Sequence, residues 1–247
     1  MAEALTGLEL MRGDYPPAHV QPGIEVAYAD DSLIVLNKPA GLLAVPGRGE
    51  DKQDCLSRRV QQHYPDALVV HRLDMATSGL MLMARGAAMQ RALAKLFENR
   101  EVGKRYVAVV DGDIGNIKNE DKVQLRPANE AQEAWQLIDL PINVDWPKRP
   151  LRVIDPVHGK ASQTRWRITS FDAATNSTRV ELEPITGRSH QLRVHLQALG
   201  HPILGDMLYA PQAVQAKASR LLLHATALAF DHPENGQPLR FQVAPDF

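Results

Sequence analysis

Regular patterning begins at Ile24. Ile24 to Tyr28 and Leu33 to Leu36 are apolar runs separated by Asp30-Asp31, and Lys38-Pro39 with Gly41 closes the second, which predicts a strand, a tight turn and a strand. Leu68 to Val70 and Leu80 to Ala84 predict two further strands, enclosing the polar stretch His71 to Gly79. Met89, Ala92, Leu93, Leu96 and Phe97 recur at three- and four-residue spacing, so an amphipathic helix is predicted over 87–101, with Arg91, Lys95 and Arg100 on its other face and Gly103 as its stop. Arg105–Val110, Ser162–Phe171 and Thr178–Pro184 read as strands, Ser189–Leu199 as a second helix ended by Gly200, and Leu221–Phe230 with Leu239–Val243 as late strands. No regular βαβ alternation is present, so the expected class is α+β, a mostly antiparallel mixed sheet flanked by helices. Residues 1–23 lack any period and carry Pro16, Pro17 and Pro22; they are expected to be a flexible lead-in to one domain over 24–247.

Composition narrows the class. Of 247 residues, 44% are hydrophobic and 23% charged, which supports a buried core and excludes wholesale disorder. No apolar run approaches the roughly 18–20 residues that cross a bilayer, and the N-terminus lacks the basic and apolar regions of a secretion signal. The single Cys55 forms no internal disulfide and no structural metal site by itself, so a cytoplasmic location and no membrane partner are expected. The net charge of −1 conceals an uneven distribution. His71 to Tyr106 holds seven basic against three acidic residues, net +4, and Asp145 to Arg167 six against two, again net +4. Asp111 to Asp139 holds seven acids against three bases, net −4. A basic face of this kind steers a polyanion, although charge runs also occur as plain solvated surface.

Several familiar devices are absent: the phosphate-binding and dinucleotide-binding glycine loops, the serine nucleophile elbow and paired C-x-x-C motifs. His190 and His195 are five apart, on different helix faces, and read as packing or RNA-facing residues rather than metal ligands. Asp74 stands out as a carboxylate in a loop between two apolar strands, although the same setting suits a turn-capping Asp. With Leu192, Leu196 and Leu199 as the buried stripe of the second helix, Arg193 falls at the stripe's edge. An inward guanidinium needs a carboxylate, and Asp74 is the candidate; the alternative is a solvated Arg on a helix flank.

These residues resemble a known family. His71-Arg72-Leu73-Asp74 with Thr77-Ser78-Gly79 is similar to the signature of the RluA family of RNA pseudouridine synthases. Asn37 to Leu42, Val45 to Arg48, Lys104 to Ala108, Gly187 to His195 and Leu199 to Asp206 resemble family segments in the same order. The resemblance implies that Asp74 is the catalytic residue, that Arg193 pairs with it, that Tyr106 contacts the target base and that Arg72 helps hold the displaced nucleotide's site open. It implies no cofactor, because breaking the C1′–N1 bond, turning the uracil and joining C1′ to C5 is an isomerisation. A stacked uridine is out of reach, so the nucleotide must be flipped at a cost of a few kcal/mol. Lys38, Arg48, Arg85, Lys148, Arg149 and Arg188 are candidates for the phosphate contacts that offset it. Larger family members carry an N-terminal S4-like domain, for which no room is expected before Ile24. The resemblance further implies tRNA and large-subunit rRNA as partners, with uridine 32 of tRNA and uridine 746 of 23S rRNA as targets, and a monomer is the expectation. An RNA chaperone using the same basic surface without catalysis is the competing reading.

Overall fold

The computed structural model describes residues 20–21, 23–116, 126–127 and 135–247. In chain order the strands and α-helices are β1 (Val20–Gln21), β2 (Ile24–Ala29), β3 (Leu33–Lys38), α1 (Leu56–Gln61), β4 (Ala67–Val69), β5 (Ser78–Arg85), α2 (Ala87–Asn99), β6 (Gly103–Asp111), β7 (Arg126–Pro127), β8 (Gln136–Asp139), β9 (Ile142–Val144), β10 (Arg152–Ile154), β11 (Gln163–Asp172), β12 (Ser177–Pro184), α3 (Gln191–Ala198), α4 (Gln212–Gln215), β13 (Leu223–Asp231) and β14 (Pro238–Gln242). The class is α+β, as the mixed order of runs predicts. Most of the expected lead-in, and most of the acidic stretch after Asp111, lie outside the described residues.

The chain divides into two compact units, Met1–Lys104 with Ala225–Asp246, and Arg105–His224 with Phe247. In the first, β2 pairs antiparallel with β3 and β3 with β5, from Leu33 opposite Ala84 to Lys38 opposite Gly79. Strand β4 pairs with the end of β5, and β13 with β14. Leu33, Val35, Leu80, Leu82, Met89, Leu93, Leu228, Phe230 and Phe241 form its core, with Ala92, Leu96 and Phe97 of α2 packed against it. Helix α2 ends earlier than predicted. Arg100 takes the left-handed conformation (φ 63°) and the N–H groups of Arg100 and Glu101 bond to Phe97 and Leu96 carbonyls, so the polar Arg100 serves as terminator and Gly103 instead opens β6.

In the second unit the antiparallel order is β6, β12, β11, β8, β7, with β9 and β10 as a separate hairpin. Leu182 pairs with both Tyr106 and Trp166, so these three share a sheet face with Ala108, Val180 and Thr164. Helix α3 lies on that face: His195 Nδ1 is 2.9 Å from Thr164 Oγ1 and its Nε2 is 3.0 Å from the Leu140 carbonyl, while Leu192, Val194 and Leu196 are buried. His195 is thus a packing residue. Its Nε2–H donates to the carbonyl and Nδ1 accepts from the threonine, a pattern only the neutral ring can make.

Candidate active site

Asp74 sits in the loop joining β4 to β5, and three devices fix that loop. The N–H of Leu82 on β5 donates to His71 Nε2 at 2.9 Å, and the His71 ring stacks on Phe97 of α2 with centroids 4.5 Å apart. Acceptance by Nε2 requires a neutral imidazole; burial and then the positive Lys104 push its pKa down to about 3. The second device is a turn in which Thr77 N–H donates to the Asp74 carbonyl at 3.1 Å, with Leu73, Thr77 and Ser78 buried and Arg72 and Met75 exposed. Asp74 itself is partly buried. The third is Gly79, at φ 109°, where an added methyl would fall 2.3 Å from the Ala225 carbonyl oxygen of β13. Only glycine allows β5 to start there.

Lys38 requires a correction. It is wholly buried, and its ammonium donates to the carbonyls of Pro39 and Leu42 at 2.8 Å and of Met75 at 3.1 Å. Met75 follows Asp74 directly, and the same carbonyl accepts from Gly41 N–H at 2.9 Å, so Lys38 clamps the carboxylate's loop to the Pro39–Leu42 turn. Burial lowers its pKa to about 8, and the nearby Asp74 charge opposes the fall. A residue so placed cannot reach a phosphate; it acts beneath the loop.

Arg193, on α3 in the second unit, does point inward, being 4% exposed. Its Nε and Nη2 donate to the two oxygens of Asp206 at 2.8 and 2.6 Å. This carboxylate is 1% exposed and also accepts from the N–H groups of Leu208 and Tyr209 at 2.9 and 3.1 Å. Asp206 stands in one of the family-like segments, yet sequence reading gave it no role. Gly205 before it has φ 71°, and a methyl there would lie 1.9 Å from the Arg220 carbonyl oxygen. The Tyr209 ring lies 5.0 Å from the Arg193 guanidinium, and its hydroxyl bonds His190 Nδ1 at 2.6 Å and accepts from Arg152 N–H at 2.9 Å. Burial raises the Tyr209 pKa to about 12, so the phenol stays neutral. His190 caps α3 in the left-handed region (φ 59°), a conformation non-glycine residues adopt rarely and one held here by Tyr209. Buried Gln191 binds Thr186 and Arg188 N–H through Oε1 and Gln163 O and Thr164 through Nε2. That glutamine therefore builds the entry to the helix.

Tyr106 is partly exposed on the α3-covered face. Of the other candidates, Arg48, Arg72, Lys148, Arg149 and Arg188 are exposed. Arg85 is occupied: its Nε faces Asp66 at 3.2 Å, its Nη1 donates to the Asp30 carbonyl at 3.1 Å, and it lies over Tyr64. Among the described residues no cluster of three metal-ligating side chains occurs, and no helix is long and apolar enough to cross a membrane.

The fold recurs in solved structures. Human RNA Pseudouridylate Synthase Domain Containing 1 is similar with a TM-score of 0.70 and 26% identity, over 91% of this chain and 84% of that one. Human RNA Pseudouridylate Synthase Domain Containing 4 gives 0.65 and 25%, over 90% and 89%. These likenesses, with a carboxylate presented on a pinned loop, define the class as pseudouridine synthase domains. A family profile described as RNA pseudouridylate synthase matches residues 32–198, and the chain belongs to that family. The dual-specificity RNA pseudouridine synthase RluA of Escherichia coli K12 is 45% identical over 92% of this chain and 95% of its own length. That of Yersinia pestis is 46% identical over 90% and 99%. The chain is accordingly an RNA pseudouridine synthase.

Proposed function

We propose that this enzyme isomerises specific uridines of structured RNA with Asp74 as the catalytic residue, Tyr106 against the target base, and Arg193 as the partner of Asp74. The observation that carries the reading is the placement of Asp74: a partly exposed carboxylate on a loop held by His71, Lys38 and Gly79, with a buried ammonium close enough to feel its charge. A carboxylate used as nucleophile or base must be held still and stay reachable. The reaction breaks C1′–N1 and forms C1′–C5; N1 gains a proton and C5 releases one, so atoms and electrons balance without a donor or oxidant. Exposed Arg48, Arg72, Lys148, Arg149 and Arg188 supply phosphate contacts to a flipped nucleotide.

The proposed targets are uridine 32 of tRNA and uridine 746 of 23S rRNA, a reading supported by relatives whose names state dual specificity. Pseudouridine mapping in total RNA from a strain lacking the gene tests both halves. Loss of pseudouridine at both sites, restored by the wild-type gene and not by Asp74→Asn, is expected. Restoration by Asp74→Asn would remove Asp74 from the catalysis, and loss at other sites would replace the targets while keeping the reaction.

A further inference from the structure

Beside Lys148 and Arg149, the hairpin of β9 and β10 carries Trp146, a ring to which the isomerisation at Asp74 assigns no part. Its tip runs Asp145-Trp146-Pro147-Lys148-Arg149-Pro150-Leu151. Trp146 is 66% exposed, whereas Trp135 and Trp166 are 5% and 1% exposed. A large ring left this open in a folded chain marks a contact surface more often than chance exposure of a small apolar residue does. The Arg149 guanidinium lies 3.5 Å from the Trp146 ring centroid, so one face is covered by a cation.

The tip is built rather than loose. Asp145 N–H bonds Leu151 O at 3.1 Å, Leu151 N–H bonds Lys148 O at 3.0 Å, and Lys148 N–H meets Asp145 O and Oδ1, both at 3.2 Å. At the hairpin's base, Arg152 N–H donates to the Tyr209 hydroxyl, beside Arg193. Charge selects the partner. Lys148 and Arg149 are exposed, while Asp145 is the acid of the tip and is engaged with the Lys148 N–H. An aromatic face bordered by cations suits a nucleobase whose phosphates lie alongside, and stacking of this kind tolerates any base.

We infer that Trp146, backed by Arg149, is a stacking site for an unpaired base of the substrate RNA, with Lys148 on the adjoining phosphate. The inference rests on the proposed reading of structured RNA as substrate. It places a contact on the hairpin that is anchored, through Tyr209, next to Arg193.

Since Trp146 is the exposed indole of the three, its fluorescence reports the contact directly. Titration with bulk tRNA from a strain lacking the gene should quench wild-type emission. Trp146→Ala should lose that quenching and raise KM for the same RNA about ten-fold with kcat changed less than two-fold. Trp146→Phe, which keeps a ring, should recover most of the KM. Turnover without any change in emission, or an unchanged KM in Trp146→Ala, would overturn the stacking site and leave the proposed function standing. Quenching with no pseudouridine formed in any RNA tested, tRNA or rRNA, would support the stacking site and overturn the proposed function.

Discussion

Arg193 and Asp206 are joined by two parallel hydrogen bonds while both side chains are almost wholly out of water. The fork of the guanidinium matches the carboxylate, and two backbone N–H groups also donate to its Oδ1. The pair fixes where the cationic end of α3 lies. Removing one charge strands the other in a dry setting, which costs roughly 3–5 kcal/mol. Asp206→Asn is therefore expected to lower unfolding stability by about 2–4 kcal/mol in urea titrations. Under the proposed pairing of Arg193 with Asp74, it should also lower kcat more than KM. Arg193→Lys, which keeps charge and loses the fork, should lose activity comparably.

Lys38 gives the enzyme an alkaline signature. Its pKa is about 8 in the folded chain against an ordinary 10.5, so between those values the unfolded chain holds a proton the folded chain has lost. Stability from this group therefore rises with pH across the window. Activity should move the other way. A neutral amine loses a donor to the three carbonyls and the charge facing Asp74, so kcat is expected to fall through an apparent pKa near 8. Lys38→Met should be slower at every pH and lack that limb; a limb unchanged in the variant would assign it to another group.

His71 and His195 weaken the fold in acid. Their folded pKa values, about 3 and about 4, lie below the ordinary 6.5, in each case through burial first. The unfolded chain thus binds more protons below 6.5, and stability fully present above that pH is lost as pH falls toward 4. By linkage each ring should contribute about 1–2 kcal/mol of the loss between pH 7 and pH 5. His71→Gln, measured by urea unfolding at both values, should flatten the dependence by that amount.

Two glycines in the family-like segments should behave oppositely. Gly79→Ala drives a methyl into the Ala225 backbone at positive φ and is expected to cost about 2–4 kcal/mol in a thermal melt, with activity lost. Gly187→Ala meets nothing within 4 Å and should leave the melt unchanged.

What the sequence revealed followed from pattern length. The β2–β3 hairpin and α2 carry enough apolar repeats to declare their period, and the α3 stripe placed Arg193 at its edge, with an inward or a solvated guanidinium both open. Helix α1, at six residues, is under two turns, and strands β8, β9 and β10 have four residues or fewer each, too few for periodicity to declare either element. Lys38 was misread because a lysine before a proline looks like a surface group. Its phase with Ile34 and Leu36 on β3 was the available signal, since alternate residues share a face. Asp206 was missed because its partner lies 13 residues back across a loop, a separation that leaves no local pattern.

The central claim is that the Asp74 carboxylate carries out the isomerisation. Tritium release from RNA labelled at uracil C5 measures the reaction as it happens, and filter binding measures RNA affinity on the same samples. The wild-type enzyme should release tritium; Asp74→Asn should release none above background while binding the RNA within about three-fold of wild type. Release by Asp74→Asn at a comparable rate would contradict the account.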